Sequence, residues 1–449
     1  MGGVLAAAGS AIGLGNLWRF PTEAGQNGGS AFLFVYFICV LIFGIPLLIA
    51  EFCIGRRARC NVGDAFKVLA PDSPWRHLGL VPVVIAFLIL CYYNVIAGWV
   101  LCYAYDAAAG HFQVSTLTDA EGRNVFANGF SAFISDPWQP VLCLTIFMGL
   151  TWFIITRGVQ RGIERSSRFL MPLLFVIMIL LMVFALRMPG AGQGLSFLFT
   201  PDFSAITPKV VLSALAQCFY SLSLGMGLIT YASYFTRENH LGRSALSVGV
   251  MDTLVAVCAG IVIFPAVFSV PDIEPSSGAS LVFIALPNVF NSALGGMPVL
   301  AWLIPLLFYV LLLVATLTSC MFLHEVVTAF VAETFAQSRR RAALEVSVAC
   351  IAIGIVCSLG NGPWADVQPF GMGIIDFFDY VTAKLMLPIS GLLVALFVGY
   401  KLSRWALLRE LSSYGMYRVN WYKVLLFDLR VLVPLIIVII MVTQLTGFI

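Results

Sequence analysis

Long apolar stretches with little charge recur along this sequence. Eleven of them, which we number spans 1 to 11, occupy residues 4–24, 30–55, 78–108, 139–156, 169–187, 209–236, 246–270, 297–336, 342–360, 373–400 and 424–447. A helix needs about 20 mostly apolar residues to cross a bilayer. Charged residues make up 10% of the 449 residues, whereas a soluble domain carries about 25%. The sequence therefore predicts an all-α membrane protein with eleven transmembrane helices.

Basic residues are concentrated in every second loop. Lysine and arginine follow spans 2, 4, 6, 8 and 10, and the loops between these are nearly free of them. Short loops rich in lysine and arginine stay in the cytoplasm. We therefore expect a multi-pass protein of the cell inner (plasma) membrane, with a cytoplasmic N-terminus, a C-terminus outside and an outer loop at residues 271–296.

The composition excludes several other classes of protein. The net charge of +3 does not support binding to nucleic acid, and the eleven cysteines include no CxxC pair. Four scattered histidines argue against a metal centre. We therefore expect the lipid bilayer as the surroundings of the chain, with no nucleic-acid partner, disulfide framework or zinc site.

Two spans are interrupted by glycines at corresponding positions. GSAIGLGN (residues 9–16) breaks span 1 and SLSLGMG (residues 221–227) breaks span 6, and each of these spans opens a group of five. Close helix packing is an alternative use of such glycines, but paired breaks in two halves are typical of inverted-repeat transporters with a midplane binding site. We predict two inverted five-helix repeats, at residues 1–187 and 209–400, with spans 1 and 6 unwound at the midplane and residues 424–449 as the eleventh helix.

Side chains that offer oxygen lie at these breaks and in spans 7 and 8. They are Asn16, Ser221, Ser223, Asp252, Thr318 and Ser319. With the carbonyl groups of unwound backbone they suit a hard cation, while the N-terminus of a half-helix favours an anion. A single serine or threonine more often bonds to its own helix, whereas a carboxylate within the membrane is by default functional. The pattern favours an ion-binding site at the breaks.

Several long motifs follow one another along the chain. They are GSAIGLGNLWRFP, NGGSAFLFVY, FGIPLLIAE, RGVQRGIERSSRFLMP, FYSLSLGMG and TYASY. In these motifs the sequence resembles the neurotransmitter:sodium symporter family, in its bacterial amino-acid branch with eleven helices. The resemblance covers spans 1 to 10 in order. It implies two bound sodium ions and an amino-acid substrate.

The resemblance implies a set of ligands for each sodium ion. The first ion would be bound by the Ala11 carbonyl, the side chains of Asn16, Ser221 and Asp252, and the substrate carboxylate. The second would be bound by the carbonyls of Gly9, Ile12 and Ala315 and the hydroxyls of Thr318 and Ser319.

The resemblance also implies where the substrate binds. Gly13 stands where monoamine carriers have an acid, which leaves room for a substrate carboxylate held by the N–H groups of Leu14 and Gly15, the Tyr93 hydroxyl and the first sodium ion. The side-chain pocket would be formed by Ile89, Tyr220, Ser223, Met226 and Leu323, beside Ser221 and with Ala11 and Ser319 at its edges. This mostly apolar lining favours a hydrophobic or aromatic L-amino acid such as leucine, tyrosine or tryptophan. A pocket separates one methylene by only about 1–3 kcal/mol, so the sequence does not choose among them.

Two differences in span 7 favour independence from chloride. Chloride-dependent members of the family keep a serine where this chain has Ala256, and Asp252 replaces their asparagine four residues earlier. A fixed carboxylate can do the work of the anion. Tyr36 and Gln217, which line the chloride site in the family, are both present.

The resemblance assigns the outer gate to a pair of opposite charges. Arg19 would meet Asp379 across the access path, above Tyr93 and Tyr220. Asp376, one turn away, is a rival partner. A cation that snorkels to the interface is an alternative interpretation of Arg19.

The inner gate is assigned to Gly162, Pro172 and Glu333. Gly162 and Pro172 bracket a segment of span 5 that would unwind to release the second sodium ion, although a simple kink also explains Pro172. Glu333 takes the place of the inner gate acid. Its arginine partner precedes span 1 in the family, so either the chain is truncated there or its inner gate differs.

These observations predict a symporter that couples inward sodium flow to uptake of an amino acid, not an enzyme. The alternative is an amino-acid-binding sodium channel or transceptor without coupled uptake. An intramembrane hydrolase would need a nucleophile and a base, and no histidine or second acid is placed near Ser221 or Ser319. Lys384, within span 10, has no role in this scheme.

Overall fold

The regular elements of this protein are helices. The computed structural model describes residues 12–114, 116–118, 124–269, 281–294 and 296–446. Within these ranges the only extended pairing is an isolated bridge between Thr118 and Asn124. The all-α class predicted from the sequence is confirmed.

Eight helices in the described ranges are long and apolar enough to cross a bilayer. They are Ser30–Ala58, Pro74–Ala109, Gly162–Ala185, Leu241–Val267, Pro298–Thr334, Arg339–Leu359, Ile374–Lys401 and Tyr422–Thr443. They correspond to predicted spans 2, 3, 5 and 7 to 11. The pair Val125–Ser135 and Gln139–Ile155, bent by 73°, makes a ninth if it is counted as one span, and its second helix corresponds to span 4.

Spans 1 and 6 are the remaining two of the predicted eleven. Residues 1–11 lie outside the described part of the chain, and the rest of span 1 is a π-helical turn, Gly15–Arg19, that continues as Phe20–Gln26. Span 6 consists of Pro208–Ser221 and Leu228–Ala232. Each of these helices is too short to cross a bilayer by itself. The total of eleven spans therefore stays a prediction.

Shorter helices lie between the spans. They are Val62–Leu69, Ala191–Phe199, Leu281–Ala285 with Leu286–Leu294, and Arg404–Leu411. The predicted outer loop at 271–296 is therefore helical over most of its second half, and residues 270–280 are outside the described part.

Span 3 lies at the centre of the bundle. Of its most apolar stretch 72% is buried, against 33% for Gly162–Ala185 and for Tyr422–Thr443. Spans 4, 8 and 9 pack against it. Both halves of span 6 pack on Ser30–Ala58, and Gly15–Arg19 packs on Leu241–Val267. The break of span 6 and the described part of span 1 therefore lie among other helices, where irregular backbone can be satisfied.

Candidate functional site

The helix of span 6 stops at Ser221 and resumes at Leu228. Between them the backbone takes positive φ at Ser223 (53°), Gly225 (75°) and Gly227 (108°). Such left-handed conformations are costly for a residue with a Cβ atom and easy for glycine. The glycines of SLSLGMG therefore allow the chain to leave the helix and re-enter it.

Two side chains from other spans bind the unwound backbone. Glu51, in span 2, accepts a hydrogen bond from the Gly225 N–H at 2.7 Å, and the Ser390 hydroxyl, in span 10, donates to the Gly225 carbonyl at 3.0 Å. Glu51 is buried, and its Oε2 has no hydrogen-bond partner among the described residues. Neither residue was predicted from the sequence. A lone glutamate within an apolar span was the available signal for Glu51.

The described part of span 1 provides hydrogen-bond donors. Ile12 and Gly13 lie in a bend, and the helix begins beyond them. The Gly13 N–H donates to Asn16 Oδ1 at 3.1 Å, and the Leu14 N–H donates to the Tyr93 hydroxyl at 3.3 Å. These N–H groups belong to the first turn of a half-helix, where the helix dipole favours negative charge. The geometry therefore suits an anionic group near Tyr93.

Asp252 connects the two interrupted spans. Its Oδ1 accepts hydrogen bonds from Asn16 Nδ2 and from the Ser221 hydroxyl, both at 2.7 Å. Its Oδ2 accepts a hydrogen bond from the Tyr36 hydroxyl at 2.7 Å. The side chains predicted to bind the first sodium ion therefore lie in one buried cluster. Ala11, the predicted carbonyl ligand, is outside the described residues.

A second group of oxygen atoms lies where span 8 meets the bend of span 1. The Thr318 hydroxyl donates to the Ala315 carbonyl at 2.8 Å and to the Ile12 carbonyl at 3.3 Å. Ser319 is buried beside them. These are the predicted ligands of the second sodium ion, apart from Gly9, which lies outside the described part of the chain.

A small cavity of about 30 Å³ lies between the interrupted spans. Its lining consists of Gly13, Gly15, Ile89, Tyr93, Tyr220, Ser221, Ser223, Met226, Ser319, Phe322 and Leu323. All of these except Phe322 were predicted. Phe322 was missed because its place depends on how span 8 packs. About one water molecule fills this volume, so a larger molecule requires the lining to move apart.

A larger cavity, of about 460 Å³, is separated from the small one by Gly15 and Tyr220, which line both. Above this partition Arg19 Nη1 lies 3.5 Å from Asp379 Oδ1, and the guanidinium carbon lies 4.4 Å from the centroid of the Tyr220 ring. Asp376 lines the same cavity but forms no ion pair with Arg19. The structure therefore places Arg19 against the first of its two predicted partners.

Glu333 lies at the opposite end of the bundle and bonds to Asn61. Its Oε2 accepts hydrogen bonds from the Asn61 backbone N–H at 2.9 Å and from the side-chain amide at 2.7 Å. Asp64 lies in the adjoining short helix. Desolvation raises the pKa of its carboxyl group, but hydrogen bonds, of which the one from Lys67 has the largest effect, lower it by more. The pKa of Asp64 is therefore below its ordinary value. Asp64 therefore stays charged beside Glu333.

Span 5 begins irregularly. A π-helical stretch, Val159–Glu164, contains Gly162, and Pro172 lies within the following helix, Arg165–Ala185. A Cβ atom on Gly162 would lie 2.2 Å from the Ile154 carbonyl oxygen. The predicted unwinding segment therefore begins in irregular helix that requires a glycine.

An interrupted helix whose break gathers oxygen atoms and backbone N–H groups around a cavity within a helical bundle is typical of a secondary transporter. Comparison with known proteins agrees. Residues 1–116 and 122–448 match the Sodium:neurotransmitter symporter family. The chain belongs to this family: it is a sodium-coupled transporter and not an enzyme.

Individual relatives are similar over nearly the whole chain. An uncharacterized sodium-dependent transporter, YhdH of Bacillus subtilis (strain 168), is 38% identical over 442 residues, 98% of this chain and 95% of that protein. The crystal structure of MhsT in complex with L-phenylalanine has a TM-score of 0.88 and 41% identity, and the match covers 98% of each chain. The sodium-dependent neutral amino acid transporter B(0)AT2 of Bos taurus is 30% identical over 291 residues, 58% of this chain and 39% of that protein.

Proposed function

We propose that this protein imports a hydrophobic or aromatic L-amino acid together with two sodium ions, by alternating access and without chloride. The observation that carries the proposal is the cluster of Asn16, Ser221 and Asp252 beside a cavity with a mostly apolar lining. A cation in the cluster would adjoin the carboxylate of an amino acid held by the half-helix of span 1. The two charges would then stabilise each other in a medium of low dielectric constant.

The two sodium sites of the proposal use the two groups of oxygen atoms. Asn16, Ser221 and Asp252, with the Ala11 carbonyl, would bind the first ion. Thr318, Ser319 and the carbonyls of Gly9, Ile12 and Ala315 would bind the second. All of these ligands offer oxygen, and both groups include backbone carbonyls from an interrupted or neighbouring helix.

The proposed substrate lies with its two ends in different surroundings. Its carboxylate would bind the N–H groups of Leu14 and Gly15 and the Tyr93 hydroxyl, which already bonds to Leu14. Its side chain would contact Ile89, Met226, Leu323, Phe322 and Tyr220. That MhsT binds L-phenylalanine supports a substrate of this chemistry.

Independence from chloride rests on the bonds that Asp252 already makes. The Tyr36 hydroxyl donates to Asp252 Oδ2, and the Gln217 amide nitrogen donates to the Gly15 carbonyl at 2.9 Å. The Tyr36 hydroxyl and one N–H of the Gln217 amide are therefore occupied by the protein itself. We propose that the Asp252 carboxylate supplies the negative charge that an anion would otherwise bring.

We further propose two inverted repeats, at residues 1–187 and 209–400, followed by a last helix at residues 424–449. We also propose that the protein lies in the inner membrane with its N-terminus in the cytoplasm. The interrupted spans open the two repeats. The distribution of basic residues supports the orientation.

Coupled uptake is the test of this function. Proteoliposomes with an inward sodium gradient should accumulate labelled phenylalanine or leucine above the outside concentration, equally in chloride and in gluconate. A channel or transceptor would only equilibrate or bind the amino acid. Failure to accumulate any apolar amino acid under a sodium gradient would reject the proposal.

Thr318→Val should weaken sodium binding specifically. Valine keeps the shape of threonine but removes the oxygen that lies between the Ile12 and Ala315 carbonyls. Loss of such a contact typically costs about 1–3 kcal/mol, so we expect the sodium concentration for half-maximal uptake to rise about tenfold. Thr316→Val is the matched control, because the Thr316 hydroxyl donates to its own helix at Leu312. Equal effects of the two variants would contradict the assignment.

Asp379→Asn should disturb the outer gate. Arg19 and Asp379 are partly exposed, so we expect the loss of this charge pair to cost about 1 kcal/mol. This cost corresponds to a roughly fivefold increase in the rate at which bound amino acid escapes outward. Dissociation of labelled substrate from sodium-loaded protein measures this rate. Asp376→Asn, one turn away, should leave it unchanged. A faster escape from Asp376→Asn than from Asp379→Asn would select the rival partner.

A further inference from the structure

A third cavity lies beside the outer one, among spans 1, 6, 10 and 11. It has a volume of about 290 Å³. We call it the side cavity and define it by Arg19, Glu23, Lys209, Tyr380, Lys384 and Thr443. None of the proposed sodium or substrate ligands lines it, and of the proposed gate residues it contains Arg19.

Two lysines of the side cavity form no ion pair with the described residues. Lys209 and Lys384 are exposed, and neither forms an ion pair within the described ranges. Lys67, by comparison, lies 2.7 Å from an Asp64 oxygen. No carboxylate of the described residues therefore lies within ion-pair distance of either ammonium group, although Asp376, on the same helix as Lys384, acts on it from farther away.

The acid of the side cavity is already engaged. Glu23 lies 3.9 Å from Arg19 and accepts a hydrogen bond from the Ser213 hydroxyl. Arg19 in turn lies 3.5 Å from Asp379. The lining thus contains three cations, Arg19, Lys209 and Lys384, against the single acid Glu23, and the charge balance of the cavity is positive.

Lys384 lies well inside a membrane-spanning helix. Ile374 begins that helix, and at 1.5 Å per residue Lys384 is about 15 Å along it. A cation at such a depth is expensive unless an anion or water compensates it. Lys384 also lines the larger outer cavity, so the two cavities meet at this side chain. An anion in the side cavity would lie against it.

The helix Tyr422–Thr443 brings the side cavity next to lipid. It contributes Thr443 to the cavity and exposes Leu435, Val438 and Ile439 along its length, with Leu435 55% exposed. Acyl chains can cover this apolar face while a polar group occupies the cavity above it. Basic pockets between transmembrane helices on the cytoplasmic side bind the headgroups of anionic lipids, and a basic pocket at the outer end offers an anionic headgroup the same charge complementarity.

We propose that the side cavity binds the phosphate group of an anionic phospholipid, with Lys209 and Lys384 as its cationic contacts. The headgroup neutralises the two ammonium groups, and the acyl chains lie on the exposed face of Tyr422–Thr443. The bound lipid contacts spans 6, 10 and 11 at one end of the bundle and stabilises their arrangement there.

Lipid retention by the purified full chain tests this proposal. Detergent-solubilised protein is titrated with phosphatidylglycerol, phosphatidylcholine or inorganic phosphate, and bound lipid is counted by native mass spectrometry. We expect saturable binding of phosphatidylglycerol, weakened roughly fivefold by Lys209→Gln or Lys384→Gln and about thirtyfold by the double variant. Lys401→Gln, an exposed lysine at the other end of the same helix as Lys384, is the control and should bind normally. The melting temperature without lipid shows that each variant is folded.

Three outcomes overturn the proposal. The first is unchanged phosphatidylglycerol binding by the folded double variant. The second is an equal loss in Lys401→Gln. The third is equal competition by inorganic phosphate and phosphatidylglycerol, which would make the ligand a free anion instead of a lipid.

Discussion

Asp252→Asn should reduce sodium-driven uptake by about 10- to 100-fold at low sodium. The carboxylate accepts three hydrogen bonds at 2.7 Å, from Asn16, Ser221 and Tyr36. Hydrogen bonds to a charged group contribute about 1.5–3 kcal/mol each, and the amide keeps one acceptor while it turns the other into a donor. The proposed sodium site also loses its fixed negative charge. Initial rates of amino-acid uptake over a range of sodium concentrations measure the effect.

A double variant tests whether that charge replaces chloride. In Asp252→Asn/Ala256→Ser the carboxylate is gone and a hydroxyl is added one helical turn away, so we expect uptake to return in chloride and to stay low in gluconate. Ala256→Ser alone should behave like the unmodified protein in both media. Full uptake by Asp252→Asn in gluconate would show that this carboxylate is dispensable and would contradict the proposed chloride independence.

Gly225→Ala should abolish most transport and destabilise the protein. Gly225 has a φ of +75°, and a Cβ atom there would lie 3.0 Å from Ser390 Cβ and 3.1 Å from the Leu387 carbonyl oxygen. Left-handed backbone costs an alanine about 1–2 kcal/mol, and overpacking typically adds about 1–3 kcal/mol. The break in span 6 would shift away from Glu51 and Ser390. We expect a lower melting temperature and uptake reduced by more than about tenfold.

Gly149→Ala is the matched control for this prediction. Gly149 lies in the helix Gln139–Ile155, and a Cβ atom there would meet nothing within 4 Å. Alanine is favoured over glycine in a helix by roughly 0.5–1 kcal/mol, so uptake and stability should be preserved. Normal uptake by Gly225→Ala would mean that the break does not require its present backbone.

Much of the fold could be predicted because the bilayer imposes a length and a polarity on every span. Ser30–Ala58 and Pro298–Thr334, for example, match predicted spans 30–55 and 297–336 closely. Glycines and polar side chains likewise marked the break at residues 221–227. These signals are local, so they can be read from neighbouring residues alone.

The contacts that hold the break in place depend on distant parts of the chain. Gly225 is bonded to Glu51 in span 2 and to Ser390 in span 10, and neither pairing follows from spacing. Phe322 reaches the cavity only because of the rotation of span 8. The partner of Glu333 is Asn61, which no local pattern indicates. Such pairings follow from helix packing, which the sequence of one chain specifies only indirectly.

The narrowness of the cavity between the broken spans has a consequence for selectivity. An aromatic side chain is much larger than a cavity with room for about one water molecule, so the packed neighbours must move apart before such a ligand can bind. A larger substrate gains more dispersion energy from its contacts, but it also requires the surrounding helices to move farther apart. Selectivity among substrates of different size would then appear in the rate of the conformational change around the bound substrate, as much as in the affinity for it.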